Sequence, residues 1–231
     1  MSLNQSAEEN LRIIRSLMER TATYRSISVP SATWAGIVSV AAFLLNLCLI
    51  HTGNLVLSVR GFLPLWLGVL VLAAIGNTVL LYREARRAGT TFPSPAMLSA
   101  IRGMAPAFLA AGVLTGIMAF LDFTQAYHPI FCYIAVPLWM LFYGIGLLGT
   151  QHFAPRSIIL LGWAFLLSAL VVLIAIPFAV FTFCEMENQG NPIYYFPSAI
   201  MATTFGGYHL LYAALVSRSI RHQKALTVAQ P

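Results

Sequence analysis

The sequence predicts an all-α fold: a six-helix transmembrane bundle with both termini cytoplasmic, preceded by an amphipathic interfacial helix. Three observations predict it. Charged residues make up 9% of the 231 and hydrophobic ones 59%, with a mean hydropathy of +0.80. A soluble domain carries roughly 25% charged residues, so this chain cannot cover a water-facing surface and is solvated by lipid. Second, the apolar runs are as long as a bilayer is thick. Third, the basic residues alternate with those runs.

A spanning helix needs about 20 mostly apolar residues. Six runs qualify: 33–52, 62–82, 103–122, 130–150, 157–183 and 196–215. Backbone groups in lipid must pair within their own segment, which makes each run a helix. The chain therefore divides into a cytoplasmic helix and linker (1–32), the six-span domain (33–215) and a basic tail (216–231). The first apolar run begins late and follows a charged segment, so it does not read as a cleaved signal peptide.

Of the 13 Lys and Arg residues, only Arg60 falls on the side opposite the rest. Arg12, Arg15, Arg20 and Arg25 precede span one, and Arg83, Arg86, Arg87 and Arg102 lie between spans two and three. Arg156 precedes span five, and Arg218, Arg221 and Lys224 follow span six. Loops rich in Lys and Arg stay inside, which predicts an inner-membrane protein with cytoplasmic termini. The excess of positive charge then reflects topology and anionic lipid headgroups. No nucleic-acid-binding pattern is present.

Residues 11–30, LRIIRSLMERTATYRSISVP, place Leu11, Ile13, Ile14, Leu17 and Met18 on one side of a helical wheel. Arg12, Arg15, Ser16, Glu19 and Arg20 fall on the other. Such a helix lies in the interface plane; the alternative is docking against the bundle or a partner. Ser94 and Pro95 read as an N-cap and first-turn proline for the third helix. Pro137 and Pro177 predict kinks. Small residues recur four apart at Ala107 and Ala111, at Gly112 and Gly116, and at Ser198, Ala202 and Gly206. They predict close helix contact, within the bundle in preference to a homo-oligomer or partner seam.

Two polar groupings are candidate sites. At the outer face stand Cys48, His51, His128, Cys132 and Cys184, with the acidic Asp122, Glu185 and Glu187. Thiolate, imidazole and carboxylate are transition-metal ligands, and spacings of three or four place two on one helix face. A disulfide, or buried cysteines with no such role, are the other readings. In the inner half of the membrane lie Asn77, His209, Tyr143 and Tyr208, with Tyr212 nearby. An ionisable residue inside a membrane is a functional candidate, and a neutral His bonded to an Asn or Tyr between helices is the plainer reading. The chain has no G-x-S-x-G, H-E-x-x-H, P-loop or C-x-x-C. Six spans suggest a rhomboid-type protease, but FYGIGLLGT in span four lacks the serine nucleophile. The leading functional expectation is a small-solute binding, transport or regulatory component. The alternative is a metal-, haem- or redox-linked protein using the outer-face Cys/His set. No cofactor can be named from the sequence.

LRIIRSLMERTATYRSIS resembles the opening of an uncharacterised group of small bacterial multi-pass membrane proteins, which begin with a pattern like LRxIRxxMERxxxYR. FYGIGLLGTQHFAPRSIILLGWAFLL is similar to their middle portion. The resemblance implies a bacterial inner-membrane protein and carries no site residue.

Overall fold

The computed structural model describes residues 8–9, 11–13, 29–52, 61–124, 130–152, 154–186 and 196–228. Among these residues the structure is helix and turn alone, and six helices are long and apolar enough to cross a membrane. They are α1 (Val29–His51), α2 (Phe62–Ala88), α3 (Pro95–Thr124), α4 (Ile130–Leu148) and α5 (Arg156–Met186), followed by a composite sixth span. That span runs through α6 (Phe196–Met201), a π-helical segment (Ala202–Tyr208) and α7 (His209–Val228).

Five of the six spans are longer as helix than predicted, while α4 ends at Leu148, two residues short of the predicted 150. The first begins at Val29 rather than residue 33, with Pro30 in its first turn, where a missing N–H costs nothing. The second carries the REARR cluster as helix before Gly89 stops it at φ 65°, a left-handed value that glycine adopts without strain. Gly89 and Thr90 donate back to the Arg86 and Ala85 carbonyls, satisfying the helix end. The third starts at Pro95, and the Ser94 hydroxyl accepts the Met97 N–H at 3.2 Å. Pro137 lies inside α4, and Pro106 inside α3 adds a proline that the kink prediction did not include. Pro177 falls on a stretch of α5 whose side chains are not described.

Hydropathy does not decide which face of each helix turns inward, because these helices are apolar all round; side-chain size does. α1 buries Ser31, Ala32, Gly36, Ser39, Ala42 and Asn46, a stripe of mostly small residues three or four apart, and turns Ile37, Leu44 and Leu45 outward. Large apolar side chains cover the outside throughout: Leu109, Leu160, Ile174 and Phe120 are each about two-thirds exposed or more. In water that would be an aggregation surface; in lipid it is the solvated one.

α1 packs against α2 and the sixth span, whereas α4 packs against α3, α5 and α6. The sixth span thus joins the two halves of the bundle. Phe62 of α2 stacks on Trp139 of α4 at 6.2 Å, and fully buried Phe165 and Met140 fill the centre. Backbones close up where glycines meet. A Cβ on Gly36 would strike Leu210 and the Gly206 carbonyl, and one on Gly144 would lie 2.9 Å from the Gly162 carbonyl.

The small-residue expectation divides accordingly. Gly206 packs on α1, 3.0 Å from Val40 at its hypothetical Cβ, and Ala107 is buried. Gly112 and Gly116 meet nothing within 4 Å. They lie on a side of α3 that no other described helix covers, because α3 packs chiefly against α4 and does so through Ala107, Gly103 and Thr115.

Candidate functional site

Among the described residues, two polar clusters lie inside the bundle besides the Trp139–Thr115 bond between α4 and α3, and the winding of the sixth span creates one of them. Residues Ala202–Tyr208, ATTFGGY, form a π-helix, a form that is rare and concentrates at functional sites. The backbone pairing tightens where the π segment ends at His209. Its N–H donates to the Gly206 carbonyl three residues back. The Phe205 carbonyl, which a regular α-helix would pair with that N–H, faces the His209 ring, with Nδ1 at 2.8 Å. A carbonyl only accepts, so Nδ1 bears the proton. A charged imidazolium buried among these rings without a counter-charge is costly, so Nε2 is the bare nitrogen and accepts the Tyr143 hydroxyl at 2.7 Å. The pair is therefore neutral, joins α4 to the sixth span, and leaves neither ring nitrogen over.

Rings enclose it. Phe165 lies 4.7 Å from Tyr143 and 4.8 Å from Phe205 between centroids, and Phe108 meets Tyr143 edge-on at 6.1 Å. Such edge-to-face and tilted pairs stabilise beyond their area. Tyr208 extends the cluster, 5.3 Å from Phe165, and its hydroxyl pairs with Ser168 of α5 at 2.7 Å.

That second hydroxyl pair sits at the edge of a cleft of about 470 Å³ between α5 and the sixth span. Val172, Ala199 and Ile200 form its walls, and Thr203 and Thr204 line it with Ser168 and Tyr208. Thr203 and Thr204 each donate to the carbonyl four residues back, Ala199 and Ile200, at 2.8 and 2.7 Å. Those bonds satisfy hydroxyl protons that lipid cannot satisfy.

The other polar arrangement lies towards the arginine-poor end. Asn46 Nδ2 donates to Ser198 Oγ at 2.7 Å, and Trp66 Nε1 approaches the same oxygen at 3.4 Å. Asn46 and Ser198 are essentially inaccessible, so α1, α2 and α6 are fastened here by a satisfied polar knot. Neither residue was a sequence candidate. The signal was available, since an Asn in the middle of an apolar run is costly unless partnered.

Of the inner-half candidates, the structure brings Tyr143 to His209, and Tyr208 to the cleft. Tyr212 is buried one turn beyond His209. Asn77 is half-buried on α2 and has no hydrogen bond to His209, whose two nitrogens are already occupied by Phe205 and Tyr143.

The outer-face set is described only in part. Cys48 and His51 are exposed along α1, whereas Cys132 is buried in the apolar core. Among the described residues no three His, Cys, Asp or Glu side chains gather where they could hold a metal. His128 and Glu187, and the side chains of Asp122, Cys184 and Glu185, lie outside the described residues.

Comparison with family models, curated proteins and solved structures finds no match to this chain.

Proposed function

We propose that this multi-pass membrane protein is a small-solute-binding component of a bacterial inner membrane, in a transport or regulatory role, with its solute held in the cleft between α5 and the sixth span. One observation carries this reading. The π-helical segment contributes Thr203, Thr204 and Tyr208 to a single opening, opposite Ser168, in the middle of otherwise apolar spans. Polar groups at that depth are costly and mark functional sites, and an apolar cleft with a few convergent hydroxyls has the makeup of a ligand pocket.

The chemistry favours binding over catalysis. A serine nucleophile needs a base to take its proton. Ser168 is paired with a tyrosine, and the nearby His209 has both nitrogens engaged.

The arginines support the orientation. Arg83, Arg86 and Arg87 close α2, Arg102 lies in the opening turns of α3, Arg156 opens α5, and Arg218 and Arg221 lie on α7; all are exposed. On the positive-inside rule these ends face the cytoplasm, where the guanidinium groups meet anionic headgroups. In the N-terminal segment, Leu11 and Ile13 are helical and exposed, which suits an interfacial helix. The rest of that segment is outside the described residues. The open Gly112 and Gly116 face is where a second copy or a partner span would pack most closely.

The test is extraction of the purified protein followed by mass spectrometry. A small molecule should be enriched above the lipid background. An Ala199→Phe variant, which fills the cleft, should lose it. No enrichment, or enrichment indifferent to Ala199→Phe, would overturn the reading.

A further inference from the structure

We infer that the cleft takes its ligand from the membrane itself, and that the ligand is a neutral lipid with an acyl or prenyl tail and a single hydroxyl or carbonyl head. The inference rests on the small-solute reading above and narrows it.

The first argument is the direction of the opening. Leu167, Val171 and Phe196 border the cleft and are exposed, while Thr204 behind them is buried. Leu167 and Val171 lie in the middle of a spanning helix. The mouth therefore faces hydrocarbon, and a molecule already dissolved in the bilayer enters without crossing water. The cleft's volume is within the range of about 300–1,000 Å³ that holds one small molecule.

The second argument is charge. Among the described residues, no Asp, Glu, Lys, Arg or His lines the cleft. An ionised head placed there would be buried without a counter-charge, which is prohibitive in a low-dielectric surrounding. Phospholipids and fatty-acid anions are excluded on that ground, since their heads belong at the interface and this polar floor lies mid-span.

The third argument is a count of hydroxyl protons. Thr203 and Thr204 spend theirs on the Ala199 and Ile200 carbonyls, leaving oxygen lone pairs as acceptors. Ser168 and Tyr208 share one bond, which uses one of their two protons whichever atom donates. The other proton is left over. The site thus offers one donor and several acceptors with no charge. A ketone or quinone oxygen accepts that proton, and an alcohol both accepts it and donates in return. A hydrocarbon does neither.

The test uses the full chain in nanodiscs of zwitterionic phospholipid. The probes are tritiated geranylgeraniol, a C20 methyl ketone, the matching C20 hydrocarbon and geranylgeranyl diphosphate. Saturable retention is expected for the alcohol and the ketone, at least about tenfold tighter than for the hydrocarbon or the diphosphate, as one good hydrogen bond allows. Ser168→Ala/Tyr208→Phe, which removes the donor, should erase the preference for the ketone and weaken that for the alcohol, which can still donate to Thr203 and Thr204. Ala199→Phe, which leaves every hydroxyl in place, should abolish retention and guards against loss of the double variant to misfolding. Equal retention of alcohol and hydrocarbon would overturn the inference. So would an ionic or water-soluble species that co-purifies and is lost in Ala199→Phe, though that outcome would leave the small-solute reading standing. Absence of any species sensitive to Ala199→Phe would overturn both.

Discussion

The Tyr143 hydroxyl donates to His209 Nε2 across 2.7 Å, and the Phe205 carbonyl fixes the tautomer that makes this possible. Removing one partner strands the other. Tyr143→Phe leaves a buried imidazole nitrogen without a donor, a loss of about 1–3 kcal/mol. His209→Leu strands the Tyr143 hydroxyl in the same way. The double variant should be less damaged than the two single losses combined, with a coupling of about 0.6–1.7 kcal/mol as found for hydrogen bonds between spans. Unfolding of the four proteins in detergent micelles measures the cycle, and strict additivity would show that the bond contributes nothing.

Trp34 reaches the Leu72 carbonyl with its Nε1–H at 3.0 Å because Gly76 has no side chain in the way. A Cβ on Gly76 would overlap the indole. Gly76→Ala should cost about 1–3 kcal/mol through overpacking, and Trp34→Phe/Gly76→Ala should regain much of it. Thermal midpoints report both, and a neutral Gly76→Ala would disprove the contact.

The glycines of the bundle should separate into two groups. At Gly144 a Cβ meets the backbone of Gly162 and Leu166, which cannot swing aside, so Gly144→Ala should destabilise strongly. Gly112→Ala and Gly116→Ala add a methyl into open space and should stay within about 0.5 kcal/mol in the isolated protein. A large loss at Gly112 or Gly116 in the membrane, absent in dilute detergent, would reveal a partner on that face.

Cys48 is exposed and Cys132 is buried. In detergent, N-ethylmaleimide should modify Cys48 rapidly and Cys132 only on unfolding, as read by mass spectrometry of the labelled peptides. Fast modification of Cys132 in the folded protein would contradict its place in the core.

A cytoplasm-active reporter fused after Lys224 should give signal, and a periplasm-active one should not. The reverse result would invert the assignment of every loop.

How much of this the sequence revealed depended on which property carried the information. Span number and position followed from hydropathy, and the start of α3 from Ser94 and Pro95, because both signals are local. The inward faces were illegible to hydropathy, since α1 is apolar all round and is sorted by size. Tyr143, Tyr208 and His209 were visible as polar residues in lipid, but not their pairing. Asn77 looked equally placed by depth, and only the occupied nitrogens of His209 decide against it. The π-helix left no periodic trace: ATTFGGY reads as ordinary helix, and its wide turn accompanies close packing of Gly206 on α1. The Cys48 and Cys132 thiols share a membrane level by sequence, while rotation about their helices puts one outside and one inside.

The sixth span is pinned at two heights, by Ser198 to Asn46 and by His209 to Tyr143, and the wide winding lies between the pins. In an ordinary helix, deleting one residue turns everything beyond it by about 100° and would pull one pin out of register. Here the π segment carries surplus chain, so loss of one residue from 202–208 can be absorbed by rewinding to α-helix, which keeps Ser198 and His209 in register with Asn46 and Tyr143 while the carbonyl facing the imidazole Nδ1 returns to the helix ladder. The span is in effect a shaft with slack built between two bearings. Between the pins it should tolerate shortening within 202–208 but not within 199–201, which the folded yield of a single-residue deletion scan would measure.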